Sequence, residues 1–562
     1  MSAIDSLNRK QQLLRMAMAC AFVPLSLFAI SLVVAFLLYG PLAREPRRYF
    51  TVGPRPEDSQ VIEHQLGLDE SWYRHGLQWP IDAARGELGT SAVTGRDVRH
   101  LIIHGAPMSA EMLVLSMAVG ALVALALATL RGRSQRRHAR KAIFILGAAL
   151  ASIPGFVALL LLILLPSDYL KYSPPVDHTQ LTEHVWNNLR LIGPIAIVIG
   201  TIGGAATWST LESGRPHLRH IVGRALSQVP FAMSGIILAE RLFSIGGVGS
   251  LLWTTTITSD LPAVQSLGVL ILFVATLAYA LRRALTGTSA PEAPVEEGSS
   301  WSSPLFLAAM AGIALFVTVG VLAPFIEPSE PSKISFTLRN QSPSLQHILG
   351  TTNFGQDELS RVIEGTRTSV KFTAAVLAFG FLPGGALGLA VGRRRKRLHR
   401  TFDALAEAVV SLPALVLILL LVAARGPGLD VVAIPVAFVA FAMGVRAAAR
   451  PAQPDRTAAP EQSWLTRGAR LSPAFFEAAI LALLAEATVG FLGLGASLPG
   501  SSLGSEIQSA SSAPTHEAAL YGPAAALYIG LLSCALAAIA CSQLVDTPEP
   551  RVPQDAVEGT QG

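Results

Sequence analysis

Charged side chains are scarce in this chain: only 14% of its 562 residues are Asp, Glu, Lys or Arg. A soluble globular protein averages about 25%. Hydrophobic residues make up 51%, and the mean hydropathy is +0.48. A surface with so little charge suits lipid. The basic pI of about 9.2 does not indicate nucleic acid, because the arginine clusters flank apolar runs and no basic segment carries interleaved aromatic residues.

Cysteine and lysine are also rare, and their placement excludes several kinds of site. The three cysteines, Cys20, Cys534 and Cys541, lie in apolar stretches without metal-ligand or disulfide spacing. None of the six lysines follows a glycine, so the chain has no phosphate-binding Walker loop. A His-Glu-x-x-His motif is absent too. We therefore predict that the chain is not an enzyme, has no ATPase motif of its own, and holds no cofactor or metal.

Twelve apolar runs are long enough, or nearly so, to cross a bilayer, which takes about 20 residues of helix. Each crossing must be helical, because lipid satisfies no backbone hydrogen bonds. The run from Met16 to Gly40 exceeds a signal-peptide core of about 7–15 residues, so we interpret it as a retained first span. We predict an all-α polytopic membrane protein with six spans in each of two halves, about 12 transmembrane helices. The predicted spans are 16–40, 112–130, 142–166, 191–210, 225–245, 263–281, 303–325, 370–391, 404–424, 431–447, 473–495 and 519–541.

The two halves repeat one another in sequence. The segment 152–156 (SIPGF) corresponds to 411–415 (SLPAL), with an offset of 411 − 152 = 259. Gly89-Thr90-Ser91 corresponds to Gly350-Thr351-Thr352, with 350 − 89 = 261. Glu240 corresponds to Glu486, with 486 − 240 = 246. Two similar membrane units in one chain indicate two halves enclosing a shared path, as in transporters.

Arginine placement predicts the orientation. Short loops on one side carry the arginine runs at 131–141, 215–224, 282–283, 393–397 and 446–470, which marks that side as cytoplasmic. Both termini are then cytoplasmic. We predict a first half at 1–285 with an outer segment at 41–105, and a flexible cytoplasmic linker at 286–302. A second half at 303–546 with an outer segment at 326–369, and a disordered cytoplasmic tail at 547–562, complete the chain.

Several ordered motifs resemble a known family. The first half carries RGELGTS at 85–91, TGRDV at 94–98, ERLFSIGGVG at 240–249 and DLPAVQ at 260–265. The second half carries HILGTTNFGQDELSR at 347–361, GTRTS at 365–369 and AEATVGFLGLG at 485–495. In this order they resemble the two permease subunits of dipeptide/oligopeptide/nickel ABC importers, so the chain resembles a fused two-half permease of that family.

The resemblance implies a type I importer permease for peptides or similar small solutes, in the bacterial cytoplasmic (inner) membrane. A periplasmic binding protein delivers the solute in such systems. Two cytoplasmic ATPase subunits bind the ATP and dock through one coupling loop per half. We therefore expect a single copy of this chain with these partners and the lipid bilayer, and no nucleic acid.

The coupling loops depart from the family's Glu-Ala-Ala, three residues, Gly motif. The corresponding stretches are 211–224 and 457–470, and a solvated basic loop is the alternative interpretation of both. The coupling candidates are Arg215, His217, Arg219, His220, Gly223, Trp464, Arg467, Gly468 and Arg470.

Four further residues are helix-end or cavity candidates. Glu240 and Glu486 are matched carboxylates near apolar helix ends, where a carboxylate faces either a pairing partner or a cavity. Pro154 and Pro413 lie inside predicted spans and should kink them, for a gate or for packing.

Two other functions remain open at this point. A secondary transporter with six plus six spans would share the central linker and the basic loop at 392–400, although intramembrane charges for ion coupling are scarce. A degenerate, non-transporting membrane scaffold would explain the altered coupling loops.

Overall fold

A computed structural model describes residues 24–41, 70–170, 185–208, 218–286, 304–392, 396–449, 471–495, 500–512 and 517–545. Within these ranges the chain is helical, with two isolated β-bridges and no strand. The first repeat contains α1 (Pro24–Tyr39), α2 (Trp72–Ala84), α3 (Val98–Arg133), α4 (Arg137–Ala151), α5 (Gly155–Leu170), α6 (Val185–Thr207), α7 (Leu218–Ser227), α8 (Val229–Leu242), α9 (Val248–Ile257) and α10 (Leu261–Thr286).

The second repeat begins with α11 (Pro304–Ile326) and α12 (Glu358–Val376), which continues through a π turn (Leu377–Phe381) into α13 (Leu382–Gly392). The helices that follow are α14 (Lys396–Val410), α15 (Ala414–Arg425), α16 (Leu429–Ala449), α17 (Ser472–Phe491), α18 (Leu503–Ser512) and α19 (Glu517–Val545). The predicted linker at 286–302 and tail at 547–562 lie outside the described residues, apart from Thr286 at the end of α10.

Each predicted span coincides with one described helix or with a pair of helices, whereas α2, α9 and α18 lie outside the predicted spans. Among the described residues, eight helices are long and apolar enough to cross a membrane, and three bent pairs raise that number to 11. The described part of the first predicted span is the shorter apolar helix α1. The fold is therefore an all-α polytopic membrane protein, as predicted. The second span of each repeat was predicted too short at its start. α3 begins at Val98 and α12 at Glu358, well before the apolar runs that start at 112 and 370.

The two early starts have the same cause in both repeats. Asp97 caps α3 by accepting from the Arg99 amide, and Asp357 caps α12 by accepting from the Ser360 amide. The offset is 357 − 97 = 260. Each cap closes a small loop with an isolated bridge, Thr90 to Asp97 and Thr351 to Asp357. Capping and loop contacts extend the helices beyond what hydropathy alone predicts.

The prolines break the third span of each repeat. Helices α4 and α5 meet at an angle of 80° around Pro154, and α14 and α15 meet at 75° around Pro413. Proline cannot donate the hydrogen bond that would continue the preceding helix. The kinks predicted from these two residues are confirmed. A third pair, α7 and α8, bends by 46°.

Glycines let the second and fourth spans approach closely in both repeats. A methyl group at Gly204 on α6 would overlap the carbonyl oxygen of Gly120 on α3. A methyl group at Gly384 on α13 would overlap the carbonyl oxygen of Phe441 on α16. In lipid, helix association depends on such close packing of small residues, since water no longer drives apolar surfaces together.

One apolar core joins the two repeats. Its centre is α15, where every residue from Leu415 to Ala424 is buried. A methyl group at Gly268 on α10 would lie 2.6 Å from Leu420 on α15. On the other side, the rings of Phe156 on α5 and Phe491 on α17 lie 4.9 Å apart. The third, fifth and sixth spans therefore carry the contact between the repeats.

Candidate functional site at the interface between the repeats

The matched carboxylates Glu240 and Glu486 are both fully buried at the outer end of the fifth span. Here "outer" means the side of the segments 41–105 and 326–369. Glu240 on α8 accepts from the Ser109 hydroxyl at 2.5 Å and from the Ser250 amide at 2.8 Å. Glu486 on α17 accepts from the Ser369 hydroxyl at 2.6 Å. Burial of a carboxylate is costly unless it is hydrogen-bonded, which explains the serines.

The two serines occupy equivalent positions in the repeats. Ser109 lies on α3 and Ser369 on α12, and 369 − 109 = 260 is the offset that relates the second spans. Each Ser–Glu pair therefore ties the second span to the outer end of the fifth span. Ser109 also accepts from the Val248 amide at 2.9 Å, which fixes the first turn of α9. The arrangement favours helix-end pairing, the structural alternative for Glu240 and Glu486.

Loss of either serine hydroxyl is expected to weaken the fold measurably. Ser109→Ala and Ser369→Ala each remove a donor from a buried carboxylate, which we expect to cost about 1–2 kcal/mol of unfolding free energy. The measurement is the SDS-induced unfolding of purified variants. Ser234→Ala is the control, because that hydroxyl donates only to Pro230 on its own helix, at 3.0 Å. Equal effects of the three substitutions would contradict the role of the Ser–Glu pairs.

The glycine segments after these glutamates differ between the repeats. These segments are 246–249 and 493–495, and their glycines permit tight turns. In the first repeat α8 ends at Leu242, and Ser244 adopts a positive φ of 54° before α9 begins at Val248. In the second repeat α17 continues to Phe491, and Gly493 adopts the positive φ, 77°. The turn is therefore displaced along the chain although the glutamates match.

A carboxylate on the inner side joins the repeats. Glu407 on α14 accepts from Arg282 at 2.5 Å and Arg283 at 3.0 Å, both on α10 of the first repeat. Arg446 on α16 lies 3.3 Å from the same carboxylate. The Tyr279 hydroxyl donates to it at 3.3 Å. Three guanidinium groups thus meet one carboxylate, and two of them reach it across the contact between the repeats.

This inner cluster was not predicted from the sequence. The arginines were interpreted only as markers of the cytoplasmic side, and Glu407 lies inside a predicted span. Its signal is an exception to the repeat: with the offset of 259 that relates the third spans, 407 − 259 = 148, and position 148 is a buried alanine. A carboxylate present in one repeat and absent in the other indicates a role in joining the two.

Replacing Glu407 by glutamine is expected to loosen the inner end of the molecule. Three guanidinium groups would lose their common counter-charge, and we expect a cost of about 1–2 kcal/mol. This is less than for a fully buried pair, because the arginine side chains are 19–33% exposed. Apparent melting temperature in detergent is the measurement. The control is Asp403→Asn, one turn earlier on α14, which has no ion pair within the described ranges. A similar shift for both variants would argue against the cluster.

The coupling candidates are only partly described. Arg219, His220 and Gly223 lie on α7, at the inner end of the fifth span. Gly223 is buried and faces Thr286 at the end of α10, while Arg219 is exposed and lies 3.2 Å from His220. The remaining candidates lie outside the described residues: Arg215, His217, Trp464, Arg467, Gly468 and Arg470. Gly223 therefore packs within the chain, and the exposed start of α7 stays a predicted docking surface.

Comparison with known proteins identifies relatives. No family model matches the chain. It is 30% identical over 221 residues to the probable D,D-dipeptide transport system permease protein of Escherichia coli strain K12, covering 36% of this chain and 74% of that protein. It is 30% identical over 213 residues to a putative peptide transport system permease protein of Brucella suis, covering 34% and 70%. It is 26% identical over 265 residues to the glutathione transport system permease protein of Escherichia coli O6:H1, covering 43% and 86%.

Fold and relatives lead to one conclusion. The described helices are those of a multi-pass membrane protein, and the first two relatives match over more than two thirds of their own length at 30% identity. All three relatives are transport permeases, which are not enzymes in themselves. The chain therefore belongs to the family of peptide ABC transport permeases and is a multi-pass permease component of the bacterial inner membrane.

Proposed function

We propose that this chain is a fused two-half permease, which forms the whole translocation path of an ABC importer for peptides or similar small solutes. The observation that carries the proposal is the repeated tie between the second and fifth spans. Ser109–Glu240 and Ser369–Glu486 have the same partners, the same hydrogen-bond type and the same place in each repeat. In this proposal the two repeats are two permease units, which contact one another through a common apolar core.

The extent of the matches leaves room for the fused arrangement. Each relative is covered over 70–86% of its own length but accounts for only 34–43% of this chain. A chain of 562 residues therefore has room for two such units. The names of the relatives, which include dipeptide and glutathione transport, support a small peptide as the solute.

In this proposal the partners occupy opposite ends of the path. A periplasmic binding protein delivers the solute at the outer side, where the capped loops at Asp97 and Asp357 lie. Two ATPase subunits dock at the inner side, with Arg219 and His220 on α7 at one of the two docking places. ATP is bound by those subunits. Both termini are cytoplasmic, and one copy of this chain serves each importer.

The broken third spans and the inner ion cluster fit alternating access. α15 is buried on all sides, so the contact between the repeats is closed along this helix. Opening the path requires α10 to separate from α14 and α15, and Glu407 is the group that holds them together at the inner end. ATP-driven movement transmitted through α7, which packs on the end of α10 at Thr286, would act on this contact.

The test is affinity purification of the tagged chain from native membranes in detergent, with mass spectrometry of the copurifying proteins and an assay of ATP turnover. We expect two ATPase chains for each copy of this chain. Arg219→Glu combined with His220→Glu should reduce recovery of ATPase severalfold. Arg85→Glu is the matched control, since its side chain is 68% exposed on the outer side.

Other outcomes identify the competing functions. Recovery of the chain alone, with solute uptake that collapses with the proton gradient, would replace the proposal by a secondary transporter. Recovery of the chain alone without any uptake would replace it by a non-transporting scaffold. Equal recovery of ATPase with the α7 variant and with Arg85→Glu would exclude α7 as a docking place.

A further inference from the structure

Helix α2 has three distinct sides, one of which has no partner among the described residues. Its packed side carries Gly76 and Pro80, which are buried, and Trp79. A second side carries an apolar stripe with residues four apart: Tyr73 is 55% exposed, Leu77 48% and Ile81 46%. A third side carries the polar residues Arg74, Gln78 and Asp82, and Arg85, directly after the helix, pairs with Asp82 at 3.6 Å. Exposed aromatic and aliphatic side chains in a continuous row mark an interaction surface.

Contacts on the packed side determine how deep α2 lies in the membrane. A methyl group at Gly76 would lie 2.9 Å from the Leu32 Cα atom of α1. Leu32 precedes the last residue of α1, Tyr39, by seven residues, or about 10 Å along the helix axis. The rings of Phe36 and Trp72 lie 5.3 Å apart, edge to face. α2 therefore lies alongside the last turns of a membrane helix and not beyond its end.

A contact with the sixth span, α10, indicates the same depth of α2 in the membrane. The Trp79 indole nitrogen donates to the Ser266 hydroxyl at 2.8 Å. Ser266 lies five residues inside the start of α10 at Leu261, or about 7–8 Å along the axis. The headgroup region of one leaflet is about 5–8 Å thick, so a helix at this depth lies at the boundary between headgroups and acyl chains.

We infer that α2 is an interfacial helix, whose stripe Tyr73–Leu77–Ile81 is covered by phospholipid of the outer leaflet. An amphipathic helix in this position buries its apolar side about 5–10 Å into the boundary and keeps its polar side toward the headgroups. Arg74 and Arg85 border the stripe, where guanidinium groups can donate to lipid phosphates. Tyr73 suits the same boundary, because tyrosine combines an apolar ring with a polar tip.

The inference gives α2 a mechanical role that does not depend on the solute carried. α2 packs on both α1 and the start of α10, so it links the first span to the sixth. Ser266 also donates to the Leu88 carbonyl at 2.6 Å, which joins the loop after α2 to the same span. Anchoring α2 in the leaflet would hold this outer corner in place while the inner end opens.

Spin labelling of the full-length chain in nanodiscs tests the inference. Cys20, Cys534 and Cys541 are replaced by serine, and single cysteines are introduced by Leu77→Cys and Gln78→Cys. Power saturation then compares collisions with oxygen, which concentrates in lipid, and with a water-soluble nickel chelate. We expect a severalfold higher oxygen-to-nickel ratio at position 77 than at position 78, although the two are adjacent.

Two further labels calibrate the experiment. Leu122→Cys lies mid-span and is 66% exposed, and Val93→Cys lies in the outer loop and is 58% exposed. A label at position 77 that behaves like the one at 93 would show that the stripe faces water, as a protein-docking surface would, and would overturn the inference. Protection from both reagents would overturn it too, by showing that another part of the chain covers the stripe.

Discussion

Replacement of Arg361 by methionine is expected to lower the free energy of unfolding by about 3–5 kcal/mol, the cost of leaving a buried charge without its partner. Arg361 donates from Nε and Nη2 to the two carboxylate oxygens of Glu506, at 2.8 and 2.7 Å. The side chains are only 5% and 1% exposed. Removal of Arg361 therefore leaves the Glu506 carboxylate buried without its counter-charge.

The matched control is Arg367→Met on the same helix. Arg367 pairs with Glu364 at 3.1 Å, but the two side chains are 32% and 25% exposed. Exposed pairs of this kind contribute about 0–1 kcal/mol. The double variant Arg361→Met with Glu506→Leu should recover much of the loss, because apolar side chains can replace a buried pair at little cost. SDS-induced unfolding measures all three, and similar losses for Arg361→Met and Arg367→Met would refute the argument.

The ion pair matters because of what it connects. Arg361 lies in the first turn of α12, and Glu506 lies in α18, the short helix after the fifth span. The Ser501 hydroxyl, before α18, lies 2.9 Å from the same carboxylate. The pair therefore fixes the outer loop of the second repeat to its second span. In the first repeat the equivalent loop is held without an arginine, by Asp260 accepting from the Ser91 hydroxyl at 2.5 Å.

The spans were predicted well from the sequence, because hydropathy distinguishes segments surrounded by lipid from segments surrounded by water. Lipid demands about 20 apolar residues in helical form, and this signal needs no tertiary information. The breaks at Pro154 and Pro413 were predictable for a similar reason, since the missing amide of proline acts locally. The helix starts at Val98 and Glu358 were missed, because they depend on caps and loop contacts that hydropathy does not register.

The candidate site was predictable only where a residue was unusual for its surroundings. Glu240 and Glu486 stood out as carboxylates in apolar runs, but their serine partners did not, since serine is common in membrane helices. Applying the offset of 260 to the second spans would have found Ser109 and Ser369 together. Glu407 joins helices separated by more than 120 residues, and no local pattern indicates such a contact.

Replacement of Gly384 by valine is expected to cost about 3 kcal/mol or more and to abolish solute uptake. Overpacking a closed interface costs about 1–3 kcal/mol, and occasionally more. Here the obstacle is the backbone carbonyl of Phe441 on α16, which cannot rotate away as a side chain could. α13 and α16 would have to separate along the row of glycines that continues at Gly380 and Gly388, both of which also face backbone oxygens of α16.

Gly385→Val provides the control one residue further along the same helix. A methyl group at Gly385 would lie 3.8 Å from the Leu471 side chain, an ordinary contact, so we expect at most about 1 kcal/mol. Gly204→Val tests the equivalent contact in the first repeat, against the carbonyl of Gly120. Apparent melting temperature and peptide uptake in proteoliposomes give the two readouts. If Gly384→Val and Gly385→Val behave alike, close backbone approach is not what holds the second and fourth spans together. If Gly204→Val and Gly384→Val fail alike, both repeats depend on the same contact, as two halves built on one plan should.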